Sequence, residues 1–193
     1  GLGRELSSIG VNVLTFNYRG THGSDGFFTL AGVDQDIDAA RRWLRSPDTA
    51  SRFAIDLAGI IVGGYGFGGG MAMAYASTDL SITQVFSIAG FDLPVAMNRY
   101  ASDPIYAAVL ESRFKASGSE DDPVRWERGD FFAFIKEAMQ GTGRWNLNFA
   151  APQLARKSIF LVGGSDDTEA PVEDHVLPFY RILRGLGTRN LEL

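Results

Sequence analysis

Cysteine is absent from the 193 residues, which excludes disulfides and thiolate metal sites. This absence suits a cytoplasmic protein, the compartment expected here. No basic run occurs, and 18 Lys and Arg against 23 Asp and Glu leave a net charge of -5. A general nucleic-acid-binding surface is therefore not expected, and the acidic balance reads as solubility. The opening "GLGRELSSIG" lacks both a starting Met and the apolar core of a signal peptide. No His, Asp or Glu cluster has metal-ligand spacing, no internal repeat is visible, and no cofactor is expected. What remains is 45% apolar and 21% charged residues, the composition of an ordinary globule. Residues 1–193 read as one domain long enough to bury a core.

Strand and helix patterns alternate along the chain. Leu2, Leu6 and Ile9 recur at helical spacing. "GVNVLTFNYRG", residues 10–20, reads as a strand stopped by glycine. Loop chemistry follows in "RGTHGSDG", residues 19–26. Val33, Ile37, Ala40 and Leu44 then mark an amphipathic helix with acids early and bases late. Strands are predicted at Leu57–Val62, Ile82–Asp92 and Lys157–Asp167, with a start of one more in "TRNLEL". A helix spans about Gly69–Ser77, and a later one points Phe179, Ile182, Leu183 and Leu186 inward, starting or kinking at Pro178. Residues 93–150 differ, with helical patterns, an acidic break at Glu120–Asp122 and aromatics around Phe131, Phe132 and Phe134. They read as a helical insertion. The whole predicts a largely parallel sheet covered on both faces.

The stretch "IIVGGYGFGGGMAMAYA", residues 60–76, concentrates five glycines between Gly64 and Gly70. Three readings compete. A membrane span finds support in the uncharged window Leu57–Ala76, but its seven glycines make a poor helix. No membrane association is expected. A Rossmann-like nucleotide-binding loop finds support in Gly64-Tyr65-Gly66-Phe67-Gly68-Gly69, with Asp92 closing the next strand where an acid would meet a ribose hydroxyl. That fingerprint normally opens its unit, whereas here a strand and helix precede it. The third reading is a nucleophile elbow, G-x-S-x-G, with Gly66 where serine should be. The elbow turns so tightly that the residues two before and two after its apex must be small. Its apex has φ > 0, which glycine adopts freely.

Several motifs in order make the chain resemble the α/β-hydrolase superfamily, in its prolyl-oligopeptidase-like and dienelactone-hydrolase-like branch. "FNYRGTHGSDG" is similar to the branch's Arg-Gly-x-Gly-x-Ser motif, and "DQDIDAARRWLRS" to the helix that follows it. "GGYGFGGGMAMAYA" resembles the elbow and its helix, and "IFLVGGSDDTEAP" the strand and G-x-x-D loop presenting the catalytic acid. The resemblance covers roughly residues 4–92 and 151–193. It implies an α/β-hydrolase-type fold with a helical cap at 93–150, and a small-molecule acyl, ester or amide ligand. It implies Asp167 as triad acid, Gly66 as the nucleophile position and the Phe67 N–H as an oxyanion donor; His22, in a loop after a strand where α/β ligand sites gather, and Tyr65 are expected to bind the ligand. It also implies first strands upstream of residue 1 and a histidine beyond Leu193. A chain without the hydroxyl and the base would be catalytically impaired, because the triad works as a unit. The alternative to a hydrolase homologue is a non-catalytic binding protein using the cleft beneath the cap.

Plainer readings stand beside these. Asp167 also fits an Asx-turn in its loop. His175, eight residues on, reads as a surface or first-turn histidine rather than a base. His22 also fits a plain loop position. Arg19 fits an anion site, while the resemblance implies that it ties down loop carbonyls, and the aromatics from Trp126 to Phe134 fit packing as well as a pocket lining.

Overall fold

Four short strands organise the computed structural model, which describes residues 2–116, 124–126, 131–140 and 143–193. They are β1 (Val62–Tyr65), β2 (Gln84–Ile88), β3 (Ser158–Val162) and β4 (Leu191–Glu192). All pair in parallel, and their order in the sheet is their order in the chain. Val62 lies opposite Val85, Val85 opposite Ile159, and Ile159 opposite Leu191. Parallel neighbours need a crossover, and successive right-handed crossovers in one direction put their helices on one face. The helices obey this. α4 (Phe67–Thr78) packs on β1 and β2, and α8 (Leu147–Leu154) packs on both α4 and α10 (Leu177–Gly185).

Val85, Ser87, Ile159 and Leu161 are therefore buried under the helices. Gly63, Tyr65 and Phe160, on the alternate positions, are exposed. The expected cover on both faces is thus not found among the described residues. The middle of α4, from Gly69 to Ala76, is buried, with Met71, Met73, Ala74 and Ala76 in the core. The uncharged span Leu57–Ala76 is accounted for by turn, strand and buried helix. No helix among the described residues is long and apolar enough to cross a membrane.

α2 (Leu30–Leu44) lies beside α4. The Tyr75 hydroxyl donates to Asp38 at 3.0 Å, and Arg41 pairs with Asp79 at 2.7 Å. The Thr29 hydroxyl accepts from the Gly32 N–H, and Glu137 of α7 (Phe131–Gln140) accepts from the Leu30 and Ala31 N–H groups. A carboxylate thus meets orphan donors at the positive end of α2.

The stretch 93–150 is helical where described, in α5 (Leu93–Ser102), α6 (Pro104–Ala116), α7 and α8. Trp126, Phe131 and Phe134 are packed into the core, while Phe132 is exposed. The acidic break at Glu120–Asp122 lies outside the described residues.

Several expected strands are shorter or missing. Leu57–Ile61 is turn and loop, so the first sheet strand begins only at Val62. Residues 11–18, within the strand predicted over 10–20, join no sheet among the described residues. Their apolar pattern is genuine, but a strand exists only with a partner. In α10, Pro178 sits in the first turn as expected, and Phe179 and Leu183 are buried. Ile182 and Leu186 instead emerge at the surface, because only the i, i+4 stripe meets α8.

Lys157, just before β3, is buried, and its ammonium donates to the carbonyls of Asp79 at 2.9 Å and of Ile82. It closes the carboxyl end of α4, where a cation is favoured. Lys157→Met should therefore lower the unfolding free energy by roughly 2–3 kcal/mol, because buried carbonyls lose their donor. Urea denaturation reads this directly. A change under about 0.5 kcal/mol, the range of surface substitutions, would mean that those carbonyls reach water.

Candidate functional site at the turn between the first strand and its helix

One residue reverses the chain between β1 and α4. Gly66 has φ 55° and ψ -126°, outside the regions open to residues with a Cβ. The turn is tight enough that a Cβ at Gly64 would stand 2.5 Å from the Gly68 carbonyl carbon. The residues two before and two after the apex are thus in contact, which explains the glycine at 64; a Cβ at Gly68 would meet only the Tyr18 hydroxyl, at 3.8 Å. Gly66 N–H donates to the Ile88 carbonyl at 2.9 Å, and its own carbonyl accepts from Gly69, Gly70 and Phe91 at 3.0, 3.2 and 3.1 Å. The apex is therefore bolted to the end of β2. A Cβ at Gly66 itself would meet nothing within 4 Å. The Phe67 and Gly68 N–H groups, opening α4, make no backbone hydrogen bond among the described residues.

Aromatic rings form one wall. Phe67 lies 6.4 Å from Tyr18, 5.9 Å from Phe28 and 6.5 Å from Phe134, ring centre to ring centre. Burial pushes the Tyr18 hydroxyl up to about 12, so it stays neutral. On the other side stand Phe91, Asp92 and His175. Asp92 is only 3% exposed, its Oδ1 has no hydrogen-bond partner, and burial pushes its carboxyl up to about 6 against the pull of the Val95 N–H. His175 ends α9 (Val172–His175), and its ring stacks on Phe91 at 5.4 Å. Its Nδ1 accepts the Asp92 N–H at 3.0 Å, which leaves the proton on Nε2. Burial lowers its pKa despite the nearby charges of Asp174 and Asp167. The histidine expected at the surface is thus 3% exposed and neutral at pH 7. A cavity of about 220 Å³ opens beside Phe91, bordered by Arg99, Asp103, Tyr106 and Glu169.

The predicted residues distribute unevenly around this turn. Gly66 and the Phe67 N–H form the turn, and Tyr65, 73% exposed, immediately precedes it. Asp167 follows β3, and its Oδ1 accepts the Glu169 and Ala170 N–H groups at 2.9 Å each, an Asx-type turn. Its negative charge is felt by His175. His22 is exposed in a turn, at φ 45°. The side chain that reaches α4 from this region is Tyr18, whose hydroxyl stands 3.8 Å from where a Gly68 Cβ would be. Arg19 binds the Asp36 carboxylate, with contacts of 2.6 and 2.8 Å, rather than loop carbonyls. An acid on α2 outcompetes neutral carbonyls for a guanidinium.

Tyr18, Phe28, Phe91 and His175 were not singled out as site residues in the sequence. Phe91 was within reach of sequence reasoning, because it follows the strand next to β1, and sites gather at the carboxyl ends of parallel strands. Asp92, proposed for a ribose, is buried and unavailable to a bulky sugar. Compared with known proteins, the sequence matches no family model and no curated protein.

Gly66→Ala should destabilise the chain by about 1–2 kcal/mol, against the usual gain of about 0.4–1 kcal/mol for Gly→Ala at a compatible site. There is room for the methyl group, so the whole loss is backbone strain. Denaturant unfolding checks it, and a stabilised variant would contradict the turn geometry.

The raised Asp92 pKa makes a second prediction. A carboxyl whose folded pKa exceeds its unfolded value supports the fold fully below about 3.8, and the support is lost as pH rises through about 6. Asp92→Asn removes that loss. Relative to the unaltered chain, the variant should gain on the order of 2–3 kcal/mol between pH 4 and pH 8. Unfolding curves at both pH values test this, and an equal difference at each would place the Asp92 carboxylate in contact with water.

Proposed function

We propose that this chain is a homologue of α/β-hydrolases related to serine esterases and peptidases, with its nucleophile position vacant at Gly66. In this reading it binds a small acyl, ester or amide ligand at the turn and does not turn it over. The observation that carries the proposal is the backbone at Gly66, a positive-φ apex between strand and helix with touching glycines on either side. Such a turn serves to hold one side-chain atom above the end of a sheet. Here that atom is missing, and the space for it is open.

The surroundings suit binding without chemistry. The Phe67 N–H has no hydrogen-bond partner among the described residues and lies at the positive end of α4, where it favours an oxygen that carries partial negative charge. The half-buried rings of Tyr18 and Phe67, 6.4 Å apart, offer an apolar flank for an acyl chain. Proton transfer lacks a donor–acceptor pair. The His175 Nδ1 lone pair is engaged by Asp92 N–H, and one Asp167 oxygen is engaged by its own loop. A hydroxyl placed at position 66 would have no base to activate it.

Two measurements test the reading. Butyramide titrated into the chain should give saturable heat, and the heat should disappear in Phe67→Pro, which removes the N–H while Pro is accepted in a first helical turn. Gly66→Ser should hydrolyse 4-nitrophenyl acetate no faster than the unaltered chain. Absence of butyramide binding would remove the acyl-site reading. Rapid hydrolysis by Gly66→Ser would show that a base is in reach, and His175→Ala and His22→Ala would identify it.

A further inference from the structure

The cavity beside Phe91 is lined by no group of the turn, and its walls carry a charge that the fold does not use. α5 supplies Arg99, α6 supplies Tyr106, Val109 and Leu110, and the loop from β3 to α9 supplies Glu169. Its volume of about 220 Å³ falls below the roughly 300–1,000 Å³ of pockets for drug-sized ligands, so an occupant is small. Most of this lining is apolar or aromatic. Hydrophobic burial therefore favours an occupant with a hydrocarbon body.

The polar groups of the cavity do not balance. Asp103, just before α6, is fully engaged. One of its carboxylate oxygens accepts the Ile105 and Tyr106 N–H groups at 3.0 Å each, and the other faces Arg99 Nε at 3.5 Å. Those N–H groups stand at the positive end of α6, so the helix terminus shares the carboxylate charge with Arg99. Glu169 is not free either. Arg99 is less well served. Its contact with Asp103 is long and uses Nε alone, and its two terminal nitrogens make no hydrogen bond among the described residues. The guanidinium carbon lies 4.6 Å from the centre of the Tyr106 ring. A ring face stabilises the cation but leaves the N–H groups, which lie in the guanidinium plane, without acceptors. The charge also acts inward. Burial first, and the Arg99 cation with it, hold His175 below its ordinary pKa against the pull of Asp174 and Asp167.

Donors thus exceed acceptors around an apolar space. A cationic ligand would meet the guanidinium in repulsion, and a neutral hydrocarbon would bury those N–H groups unpaired, at a cost. An inorganic anion would answer the charge but leave the Phe91, Tyr106 and Val109 side chains uncovered. A carboxylate on a hydrocarbon body answers both, because its two oxygens match the paired N–H groups at the end of a guanidinium.

We infer that this cavity binds a small organic carboxylate, with its anionic end on the Arg99 guanidinium and its apolar or aromatic body against Phe91, Tyr106 and Val109. The site is independent of the acyl reading of the turn, since neither Gly66 nor Phe67 lines it.

Phenylacetate and phenylacetamide are the probes, because they share a shape and differ in charge. Titration of the whole chain is followed by amide NMR shifts. Phenylacetate should saturate, with shifts clustered at Arg99, Tyr106 and Val109, and should bind about tenfold or more tighter than the amide, as a charge-assisted pair exceeds a neutral one. Arg99→Gln removes the cation and keeps a polar side chain. It should lower the phenylacetate affinity to that of the amide and leave the amide within about twofold, which separates lost charge from lost fold. Val109 is half exposed on α6, so Val109→Trp should fill the cavity and remove both ligands without unfolding the chain. Phe67→Pro should leave phenylacetate binding unchanged. Absence of saturable shifts with phenylacetate would overturn the inference. So would equal affinity for acid and amide, undiminished phenylacetate binding in Arg99→Gln, or binding that survives in Val109→Trp. Loss of phenylacetate binding in Phe67→Pro would move the carboxylate to the first turn of α4 and overturn it as well.

Discussion

The contact between Gly64 and Gly68 is the constraint from which the rest of this structure follows. With 2.5 Å between a would-be Cβ and a carbonyl carbon, no side chain fits, and the strand can turn into the helix through one residue. The reversal drops α4 directly onto β1 and β2. Close packing continues along the helix, where a Cβ at Gly70 would meet the Phe91 carbonyl oxygen at 2.0 Å. The end of β2 can therefore pass against α4, and Phe91 N–H can reach the Gly66 carbonyl. Everything gathered around the apex depends on that passage. Phe91 brings His175 by stacking, and Asp92 brings it again by a backbone hydrogen bond.

This arrangement has an electrostatic consequence. Asp92 and His175 are buried in contact, yet they do not form an ion pair. The histidine accepts from the Asp92 main chain, not from its carboxylate, and the Asp92 Oδ1 has no partner. Burial opposes charge on both, raising the acid and lowering the base. Their pH dependences therefore oppose each other. The support from Asp92 fades as pH rises toward about 6, while that from neutral His175 fades as pH falls below its ordinary value. Around pH 6 the Asp92 carboxyl is half ionised, so most of its support is already lost there.

Much of the fold was legible in the sequence because it is written in local patterns. The α2 stripe of Val33 and Ile37 faces inward as its period requires, and the glycine frame around Gly66 announced the turn. The parallel pairing of the sheet followed from alternating elements. What escaped depends on partners distant in the chain. Residues 11–18 have the composition of a strand, but only a neighbouring backbone makes one. His175 looks like any polar residue in a short acidic helix, with Glu173 and Asp174 beside it. Its burial is decided by Phe91, more than eighty positions earlier, through a stack no spacing rule encodes. Arg19 was read as a carbonyl ligand because Asp36 is adjacent only once α2 has docked.

β1 delivers the apex through Tyr65 at its end, and among the described residues it pairs with β2 alone. The turn is fixed all the same, because Gly66 N–H donates to the Ile88 carbonyl and the Gly66 carbonyl accepts from Phe91, just past the end of β2. The direction in which α4 leaves the sheet is therefore set by β2, the strand on which the helix also packs.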